Sequence, residues 1–222
     1  VVENDGSSAS SFDVAMYQLG GHAVELEASS SQLGRGESYE DTGRVLSRYV
    51  DGIMIRTYAQ KGIEELARGA TVPVINGLSD LYHPCQLLAD LFTIQEFKGK
   101  LLKQKISYVG DGNNIANSWI TAAMLLNLKL SVATPPGCEP AATIFKKIDI
   151  GRHENILLTH DPVEAVRGAD VINTDTWFSM GQKEDPAKRE RLVPFQVNQE
   201  LLAHAAKEAI VLHCLPAHRG EE

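Results

Sequence analysis

The 222-residue chain has no apolar run approaching the ~20 residues needed to cross a bilayer, and its N-terminus lacks the basic-then-apolar pattern of a secretion signal. A membrane-spanning or exported protein is therefore not expected. Cysteine is scarce: Cys85, Cys138 and Cys214 leave an odd count with no framework spacing. That argues for a reducing compartment, the cytoplasm or an organelle matrix. Basic charge is not in excess either. With 21 Lys+Arg against 29 Asp+Glu the formal charge is −8, which speaks against nucleic acid or an anionic membrane as partner. No cation precedes Arg35. The opening stretch "ENDGSSASSFDVA" (3–15) predicts a helix starting near Ser10, from the Ser10/Asp13 spacing and from Phe12, Ala15, Met16 and Leu19. A helix start offers unpaired N–H groups, yet without a cation it makes a weak anion site. Nothing repeats at a fixed period, and no low-complexity tract exceeds a few residues.

What is there is an ordinary globular composition, 43% hydrophobic and 23% charged, long enough for one large or two small domains. Short β-branched runs predict strands at 22–28, 51–57, 71–77, 105–111, 128–135, 155–161, 169–177 and 209–216. Between them lie helical patterns such as "SYEDTGRVLSRYV", "HPCQLLADLFTIQEFKG", "NNIANSWITAAMLLNL" and "VEAVRGA". This alternation predicts an α/β fold with parallel sheets covered on both faces. The basic, polar break "EFKGKLLKQK" (96–105) places a boundary between domains 1–100 and 101–222, two doubly wound halves with a cleft between them. Ligands in such sheets collect beyond the C-terminal strand ends.

Those ends carry the chemistry. Arg56 closes "GIMI" and is either a salt-bridged edge residue or a fork for phosphate or carboxylate. "HPCQ" puts His83 and Gln86 at a helix start with Pro84 in the first turn. "KISYV" runs into "GDGNN" (110–114), whose glycines permit a tight turn and whose amides can read a polar ligand. Asp175 ends one strand ahead of "FSMGQKE", and "HCLP" (213–216) ends the last. A dinucleotide fingerprint in "VGDGNNIA" is disfavoured by Ile115 at the third small position and by the absence of an acidic residue after "LKLSVATP". His83, Cys85, His213, Cys214 and His218 lack the usual metal-ligand spacings. Cys214 as a nucleophile with His213 as its base is opposed by the alternation of side chains along a strand. Cys85 and Cys138 read as buried structural cysteines.

Taken together, "HPCQLLAD", "GDGNN", "DTWFSMGQ" and "HCLPAHRGEE", supported by "GESYEDTGRVLSRYVDGIMIRT" and "VPVINGLSDLYHPCQ", resemble ornithine carbamoyltransferase across essentially the whole chain. HCLP and SMG distinguish it from aspartate carbamoyltransferases. The resemblance implies transfer of the carbamoyl group of carbamoyl phosphate to the δ-amine of L-ornithine, giving L-citrulline and phosphate in arginine biosynthesis. It implies no metal or organic cofactor, an N-terminal carbamoyl-phosphate domain, a C-terminal ornithine domain, and a homotrimer or higher homo-oligomer. By this resemblance Gln32, Arg56, His83 and Gln86, with neighbouring Pro84 and Cys85, contact carbamoyl phosphate. Arg56 and His83 polarise its carbonyl. Asn114, Asp175, Ser179 and Met180 hold the amino-acid end of ornithine. Cys214 and Leu215 line the δ-amine site, where Asp175 and Cys214 manage the amine proton.

The resemblance also marks departures. "DGSSA" (5–9) stands where the family carries Ser-Thr-Arg-Thr-Arg, its phosphate cradle, so Ser7 and Ala9 replace arginines and Asp5 adds a negative charge. The family's first helical segment and everything beyond "HRGEE" are expected to be missing. Three functions follow as hypotheses: an ornithine carbamoyltransferase, a non-catalytic binding or assembly subunit of the same fold, and a nucleotide-binding α/β protein. A citrulline assay separates the first two, and thermal shifts with carbamoyl phosphate, ornithine or NAD separate the third.

Overall fold

A computed structural model describes residues 7–27, 36–147, 154–179 and 182–222. The chain falls into two compact units, Val1–Cys85 and Gln86–Glu222. Among the described residues, no helix is long and apolar enough to cross a membrane.

The first unit contains α1 (Ser7–Gln18), α2 (Tyr39–Leu46), β1 (Ile53–Arg56), α3 (Gln60–Gly69), β2 (Val74–Leu78) and the first turn of α4 (Pro84–Lys98). Ser38 caps α2 by accepting from the Asp41 N–H. Glu40 and Asp41 follow in the first turn, where the helix dipole favours negative charge. Helices α2 and α3 meet backbone to backbone: a Cβ on Gly43 would lie 2.4 Å from Leu66 O, and one on Gly69 would lie 1.9 Å from Glu40 O. Only glycine fits either position. Strands β1 and β2 pair in parallel from Ile53↔Val74 onward. The core is Ile53, Ile55, Ile63 and Leu66, ringed by Tyr39, Leu46, Val50 and Val74. From α1, Phe12 packs on Met54.

The second unit continues α4 and adds a 3-10 turn at Leu101–Lys103, β3 (Lys105–Val109), α5 (Asn114–Leu126), β4 (Lys129–Ala133), α6 (Ala142–Lys147), β5 (Ile156–Thr159), α7 (Pro162–Val166), β6 (Val171–Thr174), α8 (Pro186–Leu192), a 3-10 turn at Val193–Phe195, α9 (Gln199–Leu202) and β7 (Ile210–His213). All five strands are parallel, in the order β5-β4-β3-β6-β7. The chain builds outward from β3 in one direction and then in the other, so the order reverses between β3 and β6, and open parallel sheets bind ligands beyond the C-terminal strand ends at such a reversal. β3, β4 and β6 are buried almost throughout, whereas the edge strands β5 and β7 are partly exposed. Burial on both faces suits the apolar side chains of the former, and Ser107, Ser131 and Asn173 are buried polar interruptions among them. Helices α7 and α8 start alike, each capped by an aspartate, Asp161 or Asp185, with proline following.

Seven of the eight expected strands form. "HAVELEA" does not: residues 21–27 are irregular and mostly exposed, and residue 28 lies outside the described residues. Alternation supplies a face but no partner, and a strand without a ladder leaves its backbone groups to water. Helix α1 begins at Ser7, earlier than the Ser10 start, so Ser10 lies inside the helix instead of capping it. Only two strands are described in the first unit, so the doubly wound reversal is displayed by the second alone.

Candidate active site

Three strand ends converge on Asp175. After β3 the chain turns through Gly110, at φ +139°, and Gly112, where a Cβ would lie 2.4 Å from Cys138 O. The turn delivers Asn113 as the cap of α5, its Oδ1 accepting from the Ile115 and Ala116 N–H groups. Because Oδ1 is committed to donors, Nδ2 faces outward and donates to Asp175 Oδ2 at 2.6 Å. Asp175, buried just beyond β6, also accepts at Oδ1 from the Thr176 N–H and, at 2.6 Å, from the Cys214 thiol beyond β7. Burial first, then negative Asp175, pushes the Cys214 thiol far above its ordinary range. The thiol is therefore a protonated donor at neutral pH.

A second contact joins the loops around this centre. Lys188 of α8 reaches Asp111 Oδ2 at 2.8 Å and Gln182 Oε1 at 3.1 Å, and lies 5.3 Å from the Phe178 ring centroid. Both ion-pair partners are largely buried. Burial raises the Asp111 carboxyl, with Lys188 pulling it back. One lysine thus ties the "GDGNN" turn to the segment that carries Ser179, whose Oγ lies 3.5 Å from Asn113 Nδ2.

At the end of β7, His213 Nδ1 accepts from the Leu215 N–H at 2.9 Å, which leaves Nε2 to carry the proton and donate to Glu222 at 3.1 Å. Leu215 sits at φ 52° and its bond to Pro216 is cis. Cys214 lies one residue beyond the strand, where alternation lapses, and ligand-type atoms of Asp175, His213 and Cys214 fall within 4.8 Å of one another. The expected separation of His213 from Cys214 onto opposite faces does not hold there. Both imidazole nitrogens are nonetheless engaged, and the thiol is protonated where a metal ligand or nucleophile must be thiolate.

Behind these residues runs a buried polar chain. Trp119 Nε1 donates to Asn173 Oδ1 at 3.0 Å. Asn173 Nδ2 approaches Asp90 Oδ2 at 3.5 Å, and Gln86 Nε2 donates to Asp90 Oδ1 at 3.0 Å. Asp90 is 5% exposed. Burial, and to a lesser degree Asp175, push its carboxyl up to about 6 despite the Gln86 hydrogen bond.

In the first unit, Arg56 ends β1 and His83 precedes Pro84 at the start of α4. Burial and then the positive Arg56 lower the His83 imidazole to about 4, so at neutral pH it is uncharged and carries one N–H. The Cys85 thiol donates to Asn76 O of β2 at 3.4 Å, and burial raises its titration.

These strand ends find counterparts in known proteins. Residues 8–96 match the "Aspartate/ornithine carbamoyltransferase, carbamoyl-P binding domain" and residues 102–222 match the corresponding "Asp/Orn binding domain". The chain belongs to the aspartate/ornithine carbamoyltransferase family. It is 55% identical over 214 residues to the ornithine carbamoyltransferase of Syntrophotalea carbinolica, covering 96% of this chain and 70% of that protein. It is 54% identical over 216 residues to the anabolic enzyme of Pyrococcus furiosus, covering 96% and 69%. Solved ornithine carbamoyltransferases from Pyrococcus furiosus (TM-score 0.90, 51% identity, covering 99% of this chain and 72% of that one) and Thermus thermophilus (0.86, 41%, 100% and 73%) share the fold.

Among the carbamoyltransferase positions read from sequence, Asp175, Cys214 and Ser179 gather around Asn113 in the second unit, and Arg56 and His83 share one electrostatic environment in the first. Asn114, although buried, is the first residue of α5 beside them. Leu215 is exposed at the tip of its turn. Gln32 and Met180 lie outside the described residues, as do Asp5 and Gly6 and the side chains of Ser7, Ser8 and Ala9. The sequence marks Asn113 only as one of the two amides of "GDGNN" and does not single out Asp90, Asn173 or Lys188. The Asn cap ahead of an apolar run was a usable signal for Asn113. Nothing local marked the others, because the contacts Trp119–Asn173, Asn173–Asp90 and Lys188–Asp111 span 54, 83 and 77 positions.

Proposed function

We propose that this chain is an ornithine carbamoyltransferase that converts carbamoyl phosphate and L-ornithine to L-citrulline and phosphate in arginine biosynthesis. The observation that carries the reading is the Cys214–Asp175–Asn113 grouping at the switch between β3 and β6, in a chain whose relatives bear that name. Ornithine presents an ammonium, which has no lone pair and cannot attack. A buried carboxylate to which no cation among the described residues is hydrogen-bonded, facing a thiol that stays protonated, suits a cationic guest that must give up a proton. In the reaction the neutral δ-nitrogen bonds to the carbamoyl carbon, the carbon–oxygen bond to phosphate breaks, and phosphate departs with the electron pair. Asp175 receives the ammonium's first proton in this reading, the departing phosphate takes the second once the nitrogen has bonded to carbon, and Asn114, Ser179 and Met180 hold the α-amino-acid end.

Arg56 and neutral His83 serve the other substrate, donating to the carbamoyl oxygen as negative charge builds there. Gln32, Gln86 and the Pro84–Cys85 turn complete that side, with Leu215 beside the δ-amine. Homotrimeric assembly and a cytoplasmic location belong to the same proposal. Citrulline formation from the two substrates tests it, with Asp175→Ala as control. Turnover by wild type that Asp175→Ala abolishes is expected, and equal turnover by both overturns the assignment.

A further inference from the structure

We propose that Asp90 and Asn173 are positioning residues that fix the orientation of the Gln86 side-chain amide, so that its oxygen is presented to the N–H groups of a carbamoyl ligand. The inference rests on the reading above, in which Gln86 contacts carbamoyl phosphate, and adds how this site tells a carbamoyl group from other acyl groups.

Donor and acceptor chemistry fixes the orientation of each group in turn. Trp119 Nε1–H can only donate, and it points at Asn173 Oδ1 from 3.0 Å in a fully buried position. Asn173 therefore cannot flip without losing that bond, and its Nδ2 is turned toward Asp90 Oδ2 and Leu212 O. An ionised carboxylate can only accept, so the end of the Gln86 amide that meets Asp90 Oδ1 at 3.0 Å is the nitrogen. Oε1 then faces away from Asp90. Indole, amide, carboxylate and amide thus transmit one orientation from the core of the second unit to Gln86. All but Gln86 are buried, where a mismatched donor or acceptor costs most. A carbamoyl nitrogen has hydrogens to donate to Oε1, and an acetyl methyl has none.

The same logic predicts what substitution does. In Asp90→Asn, the new amide must turn its oxygen to the fixed Asn173 donor and its nitrogen to Gln86. Gln86 is then inverted and offers its own N–H to the ligand. In the exchanged pair Asp90→Asn/Asn173→Asp, a carboxylate at 173 accepts both from Trp119 and from the amide at 90, whose oxygen again receives Gln86 Nε2, and the original orientation returns.

The test compares carbamoyl phosphate with acetyl phosphate, which shares its phosphate and carbonyl, by calorimetry at pH 8 on the whole chain. Wild type is expected to prefer carbamoyl phosphate by about tenfold. Asp90→Asn and Gln86→Met should each bring the ratio to within about twofold of unity, with acetyl phosphate binding little changed, and their combination should add nothing further. The exchanged pair should recover the preference, which a purely structural role for Asp90 would not produce. An unchanged ratio in Asp90→Asn, additive effects with Gln86→Met, or an exchanged pair that fails to recover would each overturn the inference. Wild type that binds neither compound fails the carbamoyl phosphate reading itself, and the inference with it. Wild type that binds both equally overturns the inference alone.

Discussion

The Cys214 thiol donates to Asp175 Oδ1 across 2.6 Å, joining two strand ends that lie 39 residues apart in the sequence. The pair is a thiol held protonated against a carboxylate, so Cys214 should react slowly with alkylating reagents at pH 8. Burial is the first cause, and the negative charge and acceptor of Asp175 come next. Asp175→Asn removes the charge and should speed Cys214 alkylation by about tenfold, one pKa unit of thiolate, while burial keeps it below the rate of a free thiol. Mass spectrometry of the Cys214 peptide over time reads the rate, and equal rates in the two proteins refute the coupling.

His83 predicts an acid limb. Its folded value near 4 lies below the ordinary 6.5, so its stabilising contribution is complete above pH 6.5 and is lost as pH falls toward 4. The loss reaches up to about 3 kcal/mol at the acid end. His83→Gln should flatten this part of the pH–stability curve, as measured by denaturant unfolding between pH 4 and 7.

Asp90 predicts the opposite slope. Its folded value of about 6 stands above the ordinary 3.8, so the contribution is complete below pH 3.8 and is lost as pH rises through 6. Asp90→Asn should therefore be more stable than wild type at pH 8 by about 1–3 kcal/mol, with the gap closing by pH 4. A gap that is the same at both pH values would show that burial of the charge is not its source.

Lys188→Met leaves the Asp111 carboxylate buried without its cation and releases Gln182 and Phe178. A loss of about 1–3 kcal/mol is expected, less than for a fully enclosed pair because both side chains keep some solvent. Norvaline, standing in for ornithine, should bind more weakly in the presence of phosphate. Adding Asp111→Asn should recover much of the stability, and calorimetric melting of the single and double variants measures it.

Replacing Asp5 to Ala9 by Ser-Thr-Arg-Thr-Arg should strengthen carbamoyl phosphate binding at least tenfold. Each charge-assisted arginine–phosphate contact contributes on the order of 1.5–3 kcal/mol, and the exchange also removes the repulsion of Asp5. Titration calorimetry before and after the exchange decides it, with unchanged affinity showing that phosphate is held elsewhere.

Much of the second unit was legible because its signals are local and redundant. The runs that became β3, β4 and β6 are rich in apolar and β-branched residues since both faces are covered, with Ser107, Ser131 and Asn173 as buried polar interruptions, and helices α5 and α7 carry their own caps. "HAVELEA" carried a comparable pattern and formed no strand, because pairing needs a neighbour that no seven-residue window contains. Asp175 and Cys214 were legible as strand-end residues of chemical interest. Asn113 was passed over for Asn114, since the two differ only in which one caps the helix and so turns its amide toward Asp175.

The sequence by itself determined composition-level exclusions, the α/β alternation, the strand ends that bear chemistry and the family motifs, all of which depend on residue type and short spacing. Tertiary structure alone decided which polar atoms meet. Strand order places β3 beside β6, and β6 beside β7, although 61 residues separate Val109 from Val171 in one case and 35 separate Thr174 from Ile210 in the other. Only that order brings Asn113, Asp175 and Cys214 within hydrogen-bond reach, and Asp90 to Asn173. Burial then sets the protonation of Asp90 and Cys214, because the penalty on an ion depends on what surrounds it in space and not on its neighbours in sequence.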